Sequence, residues 1–223
     1  MIIAERKDLE QIKRMIAPYK KVLIVGCETC VNICWAGGHK EVKDLAEKLE
    51  AELPRGSVTI LQSTVERQCE KEMVEQLYEE VSEADALVSM ACGAGAQIMA
   101  DVFEDKAVLP ALNTTFLGYP SEPGTWVENC GSCGDCVLDR TGGICPVVTC
   151  AKGLMNGPCG GVRKGGMCEV DASKPCAWVR IYNRLEKQDR LDLMEDFTPP
   201  KNYRAVKRPG IVKAAPKQRE EIG

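Results

Sequence analysis

Histidine is all but missing. His39 is the only one in 223 residues, which argues against a His-rich catalytic zinc site and against a Cys₂His₂ array. No segment approaches the ~20 consecutive apolar residues of a membrane span, so no membrane insertion is expected. The opening MIIAERKDLEQIKRMIAPY carries acidic residues early and no continuous apolar run; no secretory leader is expected, and the compartment reads as cytoplasmic. Positive charge is not in excess: 29 Lys and Arg against 33 Asp and Glu leave a net charge of −4, so there is no general footprint for nucleic acid. The Gly-x-Gly-x-x-Gly fingerprint is missing after the first apolar strand, which discounts NAD or FAD there. No acid–base pair stands in a recognisable pocket motif. No catalytic residue and no organic-cofactor residue is therefore assigned.

What is abundant is cysteine. There are thirteen, in a chain whose apolar fraction of 44% is enough for an ordinary core. Disulfides, zinc and iron–sulfur clusters compete to explain them. Disulfides need an oxidising compartment, and an odd count leaves one thiol over. Metal is the better reading.

Taken in order, residues 3–18 read as a surface helix, within an N-terminal helical segment 1–19 that ends near Pro18. Lys21–Gly26 is a short β-branched run, hence a buried strand. Helix 39–52, strand 58–62, helix 67–81, strand 86–90, helix 94–103 and strand 107–112 follow. Strands alternating with helices at this spacing predict βαβ units and a parallel sheet. Residues 20–119 thus form a small Rossmann-like α/β domain, with strand order 2-1-3-4. Residues 120–124 read as a linker, 126–176 as a cysteine-rich, loop-rich metal-binding segment and 177–198 as a C-terminal helical region. The helix at 177–187 carries a Trp178, Ile181, Tyr182, Leu185 stripe, either a core face or an anchor for a partner. Residues 199–223 read as an extended, partner-wrapping tail.

Ligands of such a sheet gather beyond the carboxyl ends of the strands. Five cysteines fall there: Cys27, Cys30 and Cys34 after the first strand, Cys69 after the second, and Cys92 after the third. Cys27, Cys30 or Cys34, Cys69 and Cys92 are expected to hold one [4Fe–4S] cluster, one of the five being a small buried hydrophobe. The other eight lie at Cys130, Cys133, Cys136, Cys145, Cys150, Cys159, Cys168 and Cys176. The Cys-x-x-Cys-x-x-Cys triplet and the Cys145-Pro146 pair are ferredoxin-like. The fourth ligand of the triplet is Cys145 or Cys150. Cys159, Cys168, Cys176 and whichever of that pair remains make a second set, for which iron, zinc and no metal all stay open.

Several stretches together carry a family resemblance: Cys27-Glu-Thr-Cys-Val-Asn-Ile-Cys-Trp-Ala-Gly-Gly-His39, Ala91-Cys-Gly-Ala-Gly-Ala-Gln97, Leu109-Pro-Ala-Leu-Asn-Thr114, Cys130-Gly-Ser-Cys-Gly-Asp-Cys136, Thr141-Gly-Gly-Ile-Cys-Pro146 and Cys150-Ala-Lys-Gly-Leu-Met-Asn-Gly-Pro-Cys-Gly-Gly161. Over roughly residues 20–205 the chain resembles the methylenetetrahydrofolate reductase C-terminal domain family, specifically the MetV-type iron–sulfur small subunit of anaerobes. The resemblance implies a non-catalytic, electron-transfer subunit that partners a flavin-bearing (β/α)₈ large subunit, in the methyl branch of the reductive acetyl-CoA pathway. It implies further electron-donating subunits, two [4Fe–4S] clusters with zinc as the alternative at one site, and flavin only in the partner. The competing reading is a zinc-organised structural subunit that transfers no electrons.

Overall fold

The computed structural model describes residues 1–206 and 209–211. Two compact units divide it, Met1–Glu128 and Asn129 onward.

The first unit is built on strand β2 (Lys21–Cys27), whose residues alternate between two cores. Val22 and Ile24 enter a cluster with Ile12, Ile16, Val42, Leu45 and Leu49. Leu23 and Val25 enter another with Val74, Leu77, Val81, Leu87, Met99 and Phe103. A strand buried on both faces must be apolar, and this one is from Val22 onward, with the half-buried Lys21 at its start. Beside it run β3 (Thr59–Val65), β4 (Ala86–Met90) and β5 (Ala107–Pro110). All pairings are parallel and the order is β3-β2-β4-β5, which is the expected 2-1-3-4. The helices that cover it are α1 (Leu9–Ile16), α3 (His39–Glu52) and α6 (Gly93–Val102), with α2 (Cys30–Ile33) in the loop after β2. Residues 67–81 form no continuous helix. They break into α4 (Lys71–Val74), a 3-10 turn Glu75–Leu77 and α5 (Tyr78–Ser82).

A second sheet departs from the expected plan. β1 (Ile2–Arg6), β6 (Leu112–Glu122) and β7 (Thr125–Cys130) form a three-stranded sheet in the order β1-β6-β7, in which β1 runs antiparallel to β6. Residues expected to begin the first helix are thus a strand, and that helix is confined to Leu9–Ile16. The supposed linker at 120–124 is the end of β6 and its turn into β7, with Gly124 at φ +80°. Near that turn the Trp35 indole, 59% exposed, meets Trp126 edge to face at 5.3 Å. Trp35 holds a φ of +56°, an outlier for so bulky a residue.

The second unit has little regular structure: α7 (Pro146–Thr149), α8 (Ala177–Lys187) and short 3-10 turns. Its buried cluster is Ile144, Cys176, Trp178, Ile181 and Leu185. The α8 stripe therefore closes this unit's own core, and only Tyr182 stays exposed. Of the tail expected at 199–223, residues 207–208 and 212–223 lie outside the described residues. No helix among the described residues is long and apolar enough to cross a membrane.

Candidate metal centres

All thirteen cysteines are free thiols. Cys27 is the last residue of β2, and its Sγ lies 3.6 Å from Thr29 Oγ1 and 3.8 Å from the Glu66 carbonyl. The loop that follows returns sharply to the sheet, where the Cys27 N–H donates to the Gly37 carbonyl at 2.9 Å. The Glu28 carboxylate accepts from the His39 N–H at 2.7 Å, at the positive end of α3. Cys69 follows β3, and Cys92 is the N-cap of α6. Burial pushes the Cys69 thiol up, and the negative charges of Cys27 and then Cys92 push it further. Three loops thus bring Cys27, Cys69 and Cys92 within electrostatic reach of one another at the carboxyl edge of the sheet.

Cys34 turns the other way. It is 5% exposed, with its Sγ 3.6 Å from the carbonyls of Ala4 and Val31. Burial is the main cause that raises its pKa. It behaves as a packed hydrophobe beneath β1, which leaves Cys30, half-buried at the start of α2, as the fourth thiol of that loop group. Cys34→Ala is therefore expected to leave metal content unchanged, while Cys69→Ser removes whatever the rim holds. Metal analysis of the two variants side by side checks this, and equal loss in both would place Cys34 among the ligands.

In the second unit, Cys130, Cys133 and Cys136 are separated by two residues in left-handed conformation, Ser132 at φ +49° and Gly134 at +77°. This curls the triplet into a tight loop. A Cβ added to Gly131 would meet the Val148 side chain at 3.1 Å, so the loop packs on α7. Cys145 is the N-cap of that helix, and Pro146 is its first residue, where a missing N–H costs nothing. Cys145 and Cys150 thus stand at the two ends of the helix on which the triplet loop packs. Cys150 also lines one cavity of about 20 Å³ with Cys159, Cys168, Cys176 and Trp178.

The backbone around this cavity is a small knuckle. Met167 bridges antiparallel to Arg163 and Pro175. Gly165 and Gly166 turn at φ +79° and +76°, and the Cys176 N–H donates to the Gly166 carbonyl at 2.8 Å. Cys159 Sγ lies 3.2 Å from the Glu169 carboxylate, which also pairs with Lys152. Lys152 first, then Cys159, hold the Glu169 carboxyl below its usual range. Glu169 is a neighbour that the cysteine spacing did not signal.

The candidate donors are cysteine sulfurs throughout, soft ligands that would suit zinc or iron–sulfur clusters rather than hard cations. As placed, no three Cys, His, Asp or Glu side chains among the described residues stand close enough to hold an ion. What the fold does show is Cys27, Cys69 and Cys92 on three loops after neighbouring parallel strands, Cys130, Cys133 and Cys136 in one tight loop, and Cys150, Cys159, Cys168 and Cys176 lining one small cavity.

Residues 109–204 match the protein-family model described as Methylene-tetrahydrofolate reductase C terminal. That span holds the eight later cysteines and none of the rim five. No curated protein and no solved structure matches the chain.

Proposed function

We propose, from the match of residues 109–204 to the methylenetetrahydrofolate reductase C-terminal family model, that the chain is the iron–sulfur small subunit of a methylenetetrahydrofolate reductase complex. It relays electrons to a flavin-bearing partner, where methylenetetrahydrofolate is reduced to methyltetrahydrofolate. The observation that carries the reading is the sorting of cysteines into groups. The triplet loop packs on the helix that Cys145 caps, and Cys27, Cys69 and Cys92 follow three neighbouring strands of the parallel sheet. When bound, an iron–sulfur cluster supplies one-electron transfer at a potential tuned by charge and by hydrogen bonds to its sulfurs. The chain's own residues would position it. Ser132 and Gly134 aim the triplet, and the β-strand ends aim the rim.

The last set favours a different ion. Cys150, Cys159, Cys168 and Cys176 line one small cavity, and four sulfurs drawn together there would make a closed tetrahedral Cys₄ zinc site. Zinc there would organise the fold and carry no electrons.

Protein purified without oxygen should contain about eight iron per chain, as two four-iron clusters require, with acid-labile sulfide and about one zinc. It should also co-purify with a co-expressed flavin-bearing methylenetetrahydrofolate reductase subunit. Protein with zinc alone, in a complex fully active without iron, would replace the electron-transfer reading with the structural one.

A further inference from the structure

Gln68 lies directly before Cys69 and is fully buried. Its carboxamide nitrogen donates to the Val25 carbonyl at 2.8 Å and to the Gly26 carbonyl at 3.0 Å. Its carboxamide oxygen accepts from the Ser89 hydroxyl at 2.7 Å, and Ser89 is itself fully buried. Val25 and Gly26 are the two residues before Cys27. Ser89 lies on β4, three residues before Cys92. A Cβ added to Gly95 of α6 would come within 2.8 Å of the Gln68 Cβ, so the helix that Cys92 caps also rests on this side chain. One amide therefore ties together the three chain segments that carry Cys27, Cys69 and Cys92.

Nothing in the local sequence demands a glutamine here. Burying an amide is unfavourable unless its bonds are made. Here the amide makes three, so its burial is compensated and its geometry is fixed.

We propose that Gln68 is a positioning residue for the rim. It locks the loops of Cys27, Cys69 and Cys92 in register before any metal arrives, so that the rim thiols are prearranged by the sheet. The metal part of this inference rests on reading the rim as a metal site; the prearrangement does not. Thiolates held in place by buried bonds keep their ligand geometry in the way that hydrogen-bonded outer neighbours orient metal ligands generally.

The test uses the full chain with Gln68→Leu and Ser89→Ala, and Cys69→Ser as the reference for rim metal. In metal-stripped protein, mild diamide oxidation should link Cys69 to Cys27 or Cys92, as mapped by peptide mass. The link should form roughly tenfold more slowly in Gln68→Leu, because the buried bonds that fix the loops are gone. Ser89→Ala should give a smaller slowing, and it decides the matter if Gln68→Leu fails to fold. In loaded protein, the metal that Cys69→Ser abolishes should escape to a chelator roughly tenfold faster from Gln68→Leu, for the same reason. Linking at the wild-type rate in both variants would overturn the proposal. If Cys69→Ser removes no metal, the rim's metal reading falls, and the linking rates still decide whether Gln68 sets the thiols.

Discussion

Metal-stripped, reduced protein should come apart in one half only. Protease cleavage and amide exchange should open the chain from Asn129 onward, while a fragment ending near Glu128 stays folded. The reason is the unequal size of the two cores. The first unit buries two extensive clusters on both faces of a parallel sheet. The second buries Ile144, Cys176, Trp178, Ile181 and Leu185, and little of its backbone lies in helices or ladders. Its turns use left-handed glycines at Gly134, Gly142, Gly143, Gly153, Gly157, Gly160, Gly165 and Gly166, each of which loses more freedom on folding than another residue would. A segment of this kind folds when metal binding adds its free energy. On the proposed cluster reading, Cys133→Ser should do locally what stripping does globally, lowering iron by about one cluster's worth and loosening the triplet loop, since metal binding and folding are coupled. Uniform protection of residues 129–206 in the stripped chain would show that the second unit stands without metal.

The Gly37→Ala variant should lose about 3 kcal/mol or more of first-unit stability, at the upper end of what overpacking costs. A Cβ at Gly37 would lie 2.0 Å from the Met90 carbonyl oxygen and 3.0 Å from its carbon. Both atoms are backbone at the end of β4, a strand fixed between β2 and β5, so nothing there can swing aside. The Gly37 carbonyl also accepts from the Cys27 N–H, so displacement would drag the first rim thiol with it. Gly38→Ala is the control. Its Cβ would meet the Asn32 amide oxygen at 2.2 Å and the Asn32 Cβ at 2.9 Å; the amide can rotate away and the Cβ contact needs only a small shift, so the loss should stay at about 1–2 kcal/mol. Urea unfolding of the two variants decides the matter. Equal losses would mean that the loop, not the strand, gives way.

The parallel sheet was legible because its signals are local. Each strand is a β-branched run between helical periods, and right-handed crossovers leave few strand orders open. β1 was not legible. The spacing of Leu9, Ile12, Met15 and Ile16 extends back onto Ile2–Arg6, and only pairing with Leu112–Leu117, more than a hundred residues away, makes those residues a strand. Tertiary pairing overrides local periodicity there. The same holds for residues 120–124, whose Pro and Gly mark a turn without saying what it joins. Among the cysteines, spacing separated the rim from the later eight but left Cys145 and Cys150 interchangeable. Both flank the same one-turn helix, so spacing alone does not say which of them joins the triplet. Gln68 was invisible for a related reason: its partners come from two other strands.

The three tryptophans divide between the two units, and so they make the chain its own optical reporter. Trp35 and Trp126 meet at the wet edge of the first unit, where indole emission lies toward the red. Trp178 is 5% exposed, donates its Nε1–H to the Leu154 carbonyl at 2.9 Å and shares a cavity with Cys150, Cys159, Cys168 and Cys176. Its emission is expected toward the blue, apart from that of the exposed pair. Occupation of that cavity and melting of that unit therefore each leave a spectral mark separable from the Trp35–Trp126 signal, with no label attached to the protein.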